Sequence, residues 1–528
     1  MRKLVVHEVI RHTLNNRPGE QIVYGGKRFT YPEFYGRVLR LANSLRGLGI
    51  GRGMPVAVLD VNSHRYLELH YALSMLGAII HTVNFRLPGE QILYTMKHAG
   101  DAWVFVYEAF APALVPAAKQ FPRWVYMADT DQVPSPHIPD PLRYEDLVSA
   151  GREEEPPEAG QVEETDAYSI FHTTGTTGQP KGVCYRHRDM VLAAIQIAHH
   201  LALHETGARI ESRDVFMPLI PFFHIHGWGS AIYVPYLGCR FVLPGRAAPA
   251  QQVALIKQER VTWLNMVPTQ LHMLLDVEDF GNVKVLTGGS ALPSGLARRA
   301  AARGVRFSLI YGGSDQLICS MSVVPEDTDP AGPEALEWLR TGTRPVPMVE
   351  VEVRDGGGRP LPRDGRTIGE VWVRSPWLPE GYYRDPERSR ESYVGGWFRT
   401  GDLGTIFPNG LLYVVDRLKD AVKSGGEWIP TTVLEAILSE HPAVAMAAVL
   451  AAPDERWGER PVACVKRKPE AVSTTEADLR SFLEQQVEAG RIASYWVPDR
   501  FIFVDEIPVT SAGKINKAAL RQQVGVGA

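Results

Sequence analysis

Residues 56–59 read as an apolar strand, 64–76 as a helical stretch and 78–83 as a second apolar strand. That order is a βαβ unit. Parallel strands need a crossover between them, usually a helix, and the helices then cover the faces of the sheet. Similar alternation recurs through the first 330 residues, which constrains the chain to layered α/β architecture. At 528 residues the chain is also too long for one hydrophobic core, so two or more domains are expected.

Composition excludes several function classes. Hydrophobic residues make up 45%, charged residues 22% and the net charge is −4, an ordinary balance for a globular protein. No basic footprint for nucleic acid stands out, so no nucleic-acid partner is expected. Cys184, Cys239, Cys319 and Cys464 are far apart, with neither zinc-ligand nor disulfide-framework spacing. No apolar run reaches membrane-spanning length, and the N-terminal residues lose apolar character too early for a signal peptide. The expected location is the cytoplasm, with no integral membrane segment.

Segment 151–165 is acidic and proline-containing and reads as a solvated loop. Region 341–415 reads as short strands and turns, with Asn409-Gly410 marking a hairpin because that pair tolerates positive φ. Past residue 418 the pattern becomes that of a small α+β unit. Thr432-Val433-Leu434-Glu435 has the form of a capping box opening a helix to Ser439. Strands are expected at 444–450 and 462–466, and a helix at 476–486. The division expected is a large N-terminal domain, 1–418, and a small C-terminal domain, 419–528.

The stretch most informative about chemistry is His172-Thr173-Thr174-Gly175-Thr176-Thr177-Gly178-Gln179-Pro180-Lys181-Gly182. Glycines let the main chain approach an anion, and hydroxyl and amide donors with a lysine charge can hold a polyphosphate. The spacing is not that of a Walker A loop, since Lys181 is followed by Gly182 rather than Ser or Thr. An apolar strand precedes the loop at 168–171 and a helix is expected after it at 187–203. Taken alone, such a loop is either a phosphate cradle or a plain surface connection.

Five further clusters follow in order. They are Tyr311-Gly312-Gly313-Ser314-Asp315, Tyr382-Tyr383-Arg384-Asp385, Trp397-Phe398-Arg399-Thr400-Gly401-Asp402, the run from Asp416-Arg417-Leu418-Lys419 to Lys423-Ser424-Gly425-Gly426-Glu427, and Pro508-Val509-Thr510-Ser511-Ala512-Gly513-Lys514. Together with the loop they resemble the adenylate-forming superfamily of acyl-CoA synthetases, luciferases and peptide-synthetase adenylation domains. Pro221-Phe222-Phe223-His224 and Lys423-Ser424-Gly425-Gly426-Glu427-Trp428-Ile429 are most similar to bacterial medium- and long-chain fatty acyl-CoA synthetases.

The resemblance implies a large N-terminal domain of layered α/β subdomains with a small β-barrel-like region, and a small mobile α+β C-terminal domain. It implies ATP, Mg²⁺ and coenzyme A as cofactors and a small-molecule carboxylic acid as substrate. The acid is converted to an acyl-adenylate with release of pyrophosphate, and a thiol then displaces AMP. The acceptor alternatives are CoA, a carrier-protein thiol or, as in luciferases, oxygen. A catalytically weakened nucleotide-binding homologue is a third reading. The chain ends at Ala528 with no attached carrier domain, which favours free CoA; a homodimer is compatible with the fatty acyl branch.

Site residues follow from the same resemblance. Thr173, Thr174, Gly175, Thr176, Thr177, Gly178 and Lys181 are expected to cradle the β- and γ-phosphates, with Lys514 reaching the α-phosphate and substrate carboxylate. Tyr311 is expected against adenine, with Gly288, Gly289 and Ser290 on the other face and Gly312 beside it. Asp402 is to accept from the ribose hydroxyls, with Arg417 adjacent and Asp416 before it. Thr174 and Asp315 are the metal-side residues and Ser314 meets phosphate. The family's Tyr-Gly-x-Thr-Glu reads here Tyr311-Gly312-Gly313-Ser314-Asp315, one methylene shorter at the carboxylate, so the metal must shift, bind through water or be held less tightly. Gly313 opens space beside the acyl site. His224 and Trp228 are placed at the acyl pocket, where His224-Ile225-His226 is also half of a metal-ligand pattern lacking a third ligand. Lys419 is the expected hinge, and Lys423 and Trp428 belong to the segment that faces the site after the swing.

Overall fold

The computed structural model describes residues 3–121, 123–130, 138, 140–173, 179–509 and 515–526. Three sheets organise them, with helices packed against their faces.

One sheet has seven strands in the order Leu142–Arg143, Trp124–Met127, Trp103–Tyr107, Pro55–Leu59, Ile79–Thr82, Ala167–Thr173 and Lys181–Arg186. All pairings are parallel except the last, which is antiparallel. The βαβ unit expected from sequence is its centre. Helix His64–Met75 crosses between Pro55–Leu59 and Ile79–Thr82, opened by the Ser63 side chain accepting the Tyr66 N–H. Every residue of that helix is buried, as befits a crossover packed on all sides.

A second sheet has fourteen strands. Arg306–Gly313, Lys284–Gly288, Trp263–Met266, Val215–Pro218, Arg240–Leu243 and Gln21–Tyr24 pair in parallel in that order. Beyond Arg306–Gly313 the pairing turns antiparallel, through Leu317–Ser322, Thr343–Pro345, Leu412–Arg417, Trp397–Ile406, Gly369–Arg374 and Glu350–Arg354. The region anticipated as a small β-barrel-like body thus forms the antiparallel end of this sheet. Its Asn409-Gly410 turn joins Trp397–Ile406 to Leu412–Arg417, with Gly410 at φ +82°.

The third sheet, of five strands, is built only from residues 422 onward. Gly458–Arg467 lies between Val444–Asp454 and the Val422–Ser424 strand, and Arg500–Phe503 runs parallel to it. Helices Thr431–Leu438 and Glu476–Glu488 supply Leu434, Leu438, Leu479 and Leu483 to a hydrophobic cluster drawn wholly from this part of the chain.

Two local expectations change. A strand, Lys181–Arg186, intervenes between the Thr/Gly loop and helix His187–Leu203, because Val183 and Tyr185 alternate inward against Phe171. The capping box at Thr432 does not form. The helix begins at Thr431, Thr432 donates its hydroxyl to the Val415 carbonyl, and Glu435 is drawn to Lys517 at 2.7 Å. The segment 151–165 carries a short 3₁₀ turn, Pro157–Gln161, whose Ala159 is buried.

Candidate active site

The Thr/Gly loop leaves one sheet edge and returns to it. Thr173 ends its strand opposite Lys181, which starts the returning one. Thr174, Gly175, Thr176, Thr177 and Gly178 lie outside the described residues, as does Lys514 with its neighbours 510–513. The loop's return is clamped by the segment around Tyr382. The Lys181 ammonium lies 3.3 Å from the Tyr382 hydroxyl and 4.4 Å from the centre of its ring. The Tyr383 N–H donates to the Gly182 carbonyl at 2.7 Å, and Arg388 donates to the Gln179 carbonyl at 3.4 Å. Tyr382 was visible in sequence as part of a motif, but its role as partner of Lys181 was not.

Asp315 sits beside this pair. Tyr393 donates to its carbonyl and Tyr185 to that of Ser314, fixing the main chain. Burial pushes the Asp315 carboxyl above its usual value, opposed by the Lys181 charge, a hydrogen bond from Tyr382 and the Arg417 charge. A hard carboxylate oxygen beside Lys181 is of the type that suits Mg²⁺, which binds through one or two carboxylates plus phosphates and keeps several waters. Among the described residues no group of three or more His, Cys, Asp or Glu side chains is arranged to hold a metal by itself. A Cβ built on Gly313 would meet nothing within 4 Å, so this position borders open space.

The residues expected at the nucleotide converge from three strands. Tyr311 donates its hydroxyl to one Asp402 oxygen at 2.8 Å, and Arg417 Nε lies 3.0 Å from the other. Sheet register makes this pair, since Asp402 is directly opposite Arg417. Asp402 in turn favours the charged form of the guanidinium, the largest influence on it. No Cβ fits at Gly312, where it would lie 2.1 Å from the Leu317 carbonyl oxygen, or at Gly288, where it would lie 2.4 Å from that of Ile310. Gly289 and Ser290 are exposed. Asp416 does not join the Asp402 pair. Its carboxylate accepts from the Thr431 hydroxyl at 2.6 Å and tethers the start of helix Thr431–Leu438.

The segment expected at the acyl pocket folds unusually. Ile225, His226, Gly227, Trp228 and Gly229 all have positive φ, at +46°, +50°, +62°, +55° and +77°. Trp228 N–H donates to the His224 carbonyl and Gly229 N–H to that of Ile225, so the segment is one left-handed helical turn. Three of these residues are not glycine, and each costs about 1–2 kcal/mol in this conformation. His224 packs against Phe223, ring centres 4.6 Å apart. His226 turns instead into the core, Nδ1 to His70 Nε2 at 2.9 Å, so the two histidines of the His-x-His pattern do not face one site. The Trp228 indole reaches Gly289: its Cζ2 would lie 3.9 Å from a Cβ there.

Lys419 lies in the turn after Arg417, where the Asp420 N–H donates to the Arg417 carbonyl, and burial lowers its ammonium pKa. Lys423 is exposed, with its ammonium 5.1 Å from the Trp428 ring directly across the strand pair. Sequence reading missed a chain of imidazoles ending at His172 and His98, beside the strand that leads into the Thr/Gly stretch. Asp101 binds His81 at 2.7 Å, His81 binds His172 at 3.0 Å, and His172 binds His98 at 3.0 Å. His172 opens the loop, and burial with its two histidine neighbours lowers its pKa to about 2. The four residues are scattered in sequence, so spacing gave no signal.

Residues 10–383 match the family described as AMP-binding enzyme, and residues 433–514 match the AMP-binding enzyme C-terminal domain. The chain belongs to the AMP-binding enzyme family. Relatives in that family include a long-chain-fatty-acid–CoA ligase of Thermus thermophilus, 37% identical over 94% of this chain and 90% of the relative. A medium-chain-fatty-acid–CoA ligase of Ectopseudomonas oleovorans is 32% identical over 99% of this chain and 96% of its own. Among solved structures, an anthranilate CoA ligase in complex with anthranoyl-AMP superposes with a TM-score of 0.83. It is 24% identical and the match covers 98% of this chain and 97% of that one, so the likeness bears on the AMP-binding fold alone.

Proposed function

We propose that this AMP-binding enzyme is an ATP-dependent acid–CoA ligase for an apolar, fatty-type carboxylate. The observation that carries the reading is one charge cluster. Arg417, paired with Asp402, also favours the charged form of Asp315, as does Lys181, which supports reading the ribose-type and phosphate-type groups as one site.

Two anions must meet for a carboxylate to attack the α-phosphorus of ATP, so the site has to neutralise charge and hold an in-line geometry. Lys181 and the loop from Thr173 to Gly178 would hold the β- and γ-phosphates. Lys514 would bridge the α-phosphate and the carboxylate. Asp402 accepts from the ribose diol while Arg417 and Tyr311 hold its carboxylate in place. Asp315 and Thr174 would hold Mg²⁺, which when bound neutralises phosphate charge. Gly288 and Gly289 face the base opposite Tyr311. His224 and Trp228 border the acyl pocket, with Gly313 leaving room beside it.

Residues 1–418 and 419–528 would act as two bodies, pivoting at Lys419 between acyl-adenylate formation and transfer to CoA. Lys423 and Trp428 would then approach the CoA arm. The likeness to two fatty-acid–CoA ligases over nearly the whole chain supports a fatty acid as substrate.

The test is a pyrophosphate-release screen over straight-chain and ring-containing acids, with and without CoA. Release with an acid–CoA product is expected for apolar acids. Pyrophosphate without that product overturns CoA as acceptor, and no release with any acid overturns the ligase reading.

A further inference from the structure

A single left-handed helical turn bearing three non-glycine residues does not persist unless its surroundings dictate it. Three contacts do so here. Asn265 donates to the Gly227 carbonyl at 2.8 Å, while its own oxygen accepts from the Leu219 and Ile220 N–H groups. Gly227 has no room for a Cβ, which would lie 2.8 Å from Ser230 Oγ and 3.1 Å from the Ile220 carbonyl. The third contact is the side chain of His226.

His226 is fully buried, and its Nδ1 meets His70 Nε2 at 2.9 Å with ring centres 4.0 Å apart. His70 is bound at its other nitrogen to the Tyr168 hydroxyl at 2.8 Å and is stacked on Tyr66. Phe171 packs edge-on against His226 at 4.8 Å. Burial keeps both imidazoles neutral, so each has one donor and one acceptor and the chain of bonds from Tyr168 to His226 has a consistent direction. Residues two apart on a helical turn point about 200° apart. Seating His226 in the core therefore directs Trp228 the other way, and Trp228 is indeed only partly buried, against Gly289.

We infer that His226 is a positioning residue: anchored through His70 to Tyr168, it keeps the 225–229 turn wound left-handed and so fixes the stance of Trp228 at the acyl pocket. Acid chain-length selection would then depend on a residue that touches neither substrate nor nucleotide. The kinetic consequence rests on the acid–CoA ligase reading; the conformational one does not.

The experiment therefore has two arms. Protein labelled with 5-fluorotryptophan is examined by fluorine NMR, with the Trp228 resonance assigned by its loss in Trp228→Phe. Acid-dependent pyrophosphate release is measured on the same variants. His226→Ala and His226→Gln are expected to shift or broaden the Trp228 resonance. They should also raise the KM for the preferred acid about tenfold, the scale of one lost buried hydrogen bond, with the KM for ATP unchanged. His226→Asn should restore both. Its amide takes the place of Nδ1, and asparagine tolerates positive φ as glutamine does not. His70→Phe, which removes only the partner, should reproduce the Ala phenotype if His226→Ala fails to fold. An unmoved Trp228 resonance in Ala, Gln and His70→Phe variants overturns the inference, even where thermal stability falls. A wild-type protein that activates no acid overturns the ligase reading instead, and the fluorine arm still decides the role of His226.

Discussion

The Lys181 ammonium stands 4.4 Å above the ring of Tyr382 and 3.3 Å from its hydroxyl, so the lysine proposed to hold phosphate is already held in place. A cation over an aromatic face keeps its charge while losing rotamer freedom, which lowers the cost of ordering it on binding. Lys181→Met should raise the KM for ATP about a hundredfold, the scale of a charged hydrogen bond. Tyr382→Phe should raise it about tenfold, since the ring stays and only the hydroxyl is lost. Initial rates over an ATP series check both, and equal effects would contradict the division of labour.

Asp402 is spoken for on both oxygens by Tyr311 and Arg417, yet a carboxylate has further lone pairs to offer a diol. Asp402→Asn keeps the shape but places an amide donor toward Arg417 or Tyr311. ATP affinity should fall about a hundredfold, while affinity for inorganic pyrophosphate stays unchanged. Isothermal titration with the two ligands makes the comparison.

Several histidines are buried as neutral rings. Burial lowers His7 to about 4 and His70, His187 and His200 each to about 3. Such a ring binds its proton only after unfolding, so stability is complete above the ordinary value near 6.5 and is lost as pH falls from there toward 3–4. Each contributes about 1.4 kcal/mol per pH unit within that window. Urea midpoints should therefore drop steeply between pH 6.5 and 5 and stay flat between 7 and 8. His200→Leu, which removes a ring whose nitrogens have no hydrogen-bond partner among the described residues, should make the drop less steep by one proton.

Trp228 projects from the left-handed turn toward Gly289, at the border of the proposed acyl pocket. Trp228→Ala should shift the acid profile toward longer or bulkier chains by about tenfold in relative kcat/KM. Gly313→Leu should act in the opposite sense by filling the open space beside it. An unchanged acid profile in both variants would remove these residues from the pocket.

Where contacts are local, the sequence could be read. The βαβ centre and the Asn409-Gly410 hairpin follow from patterns a few residues long. Motif order also brought Tyr311, Asp402 and Arg417 together, although they come from three strands. The rest depended on tertiary partners. Glu435 reads as a cap residue, but a buried Lys517, 82 positions later in the chain, offers it a charge and outcompetes the helix terminus. Left-handed φ at Ile225, His226 and Trp228 has no signature in those residue types, because it is imposed by Asn265, His70 and the crowding at Gly227. The imidazole chain from Asp101 to His98 draws His81 and His172 from neighbouring strands and His98 from helix Gly89–Ala99, and is invisible to spacing.

The turn at Lys419 joins Leu412–Arg417, in the fourteen-stranded sheet, to Val422–Ser424, in the five-stranded one. The proposed rotation of the C-terminal part would have to change φ and ψ somewhere in this short link, and Asp416, held by Thr431, stiffens the residues just before it. Proline fixes φ near −65° and removes the N–H, so Lys419→Pro should lock the arrangement in which the chain is made. If that arrangement forms acyl-adenylate, pyrophosphate release persists while acid–CoA formation falls at least a hundredfold, on the order of a lost conformational step. Lys419→Ala is the control, since it removes the ammonium and keeps the freedom. Single-turnover assays of each half-reaction distinguish the outcomes: loss of both steps in Lys419→Pro, or equal loss of transfer in Lys419→Ala, would place the pivot elsewhere.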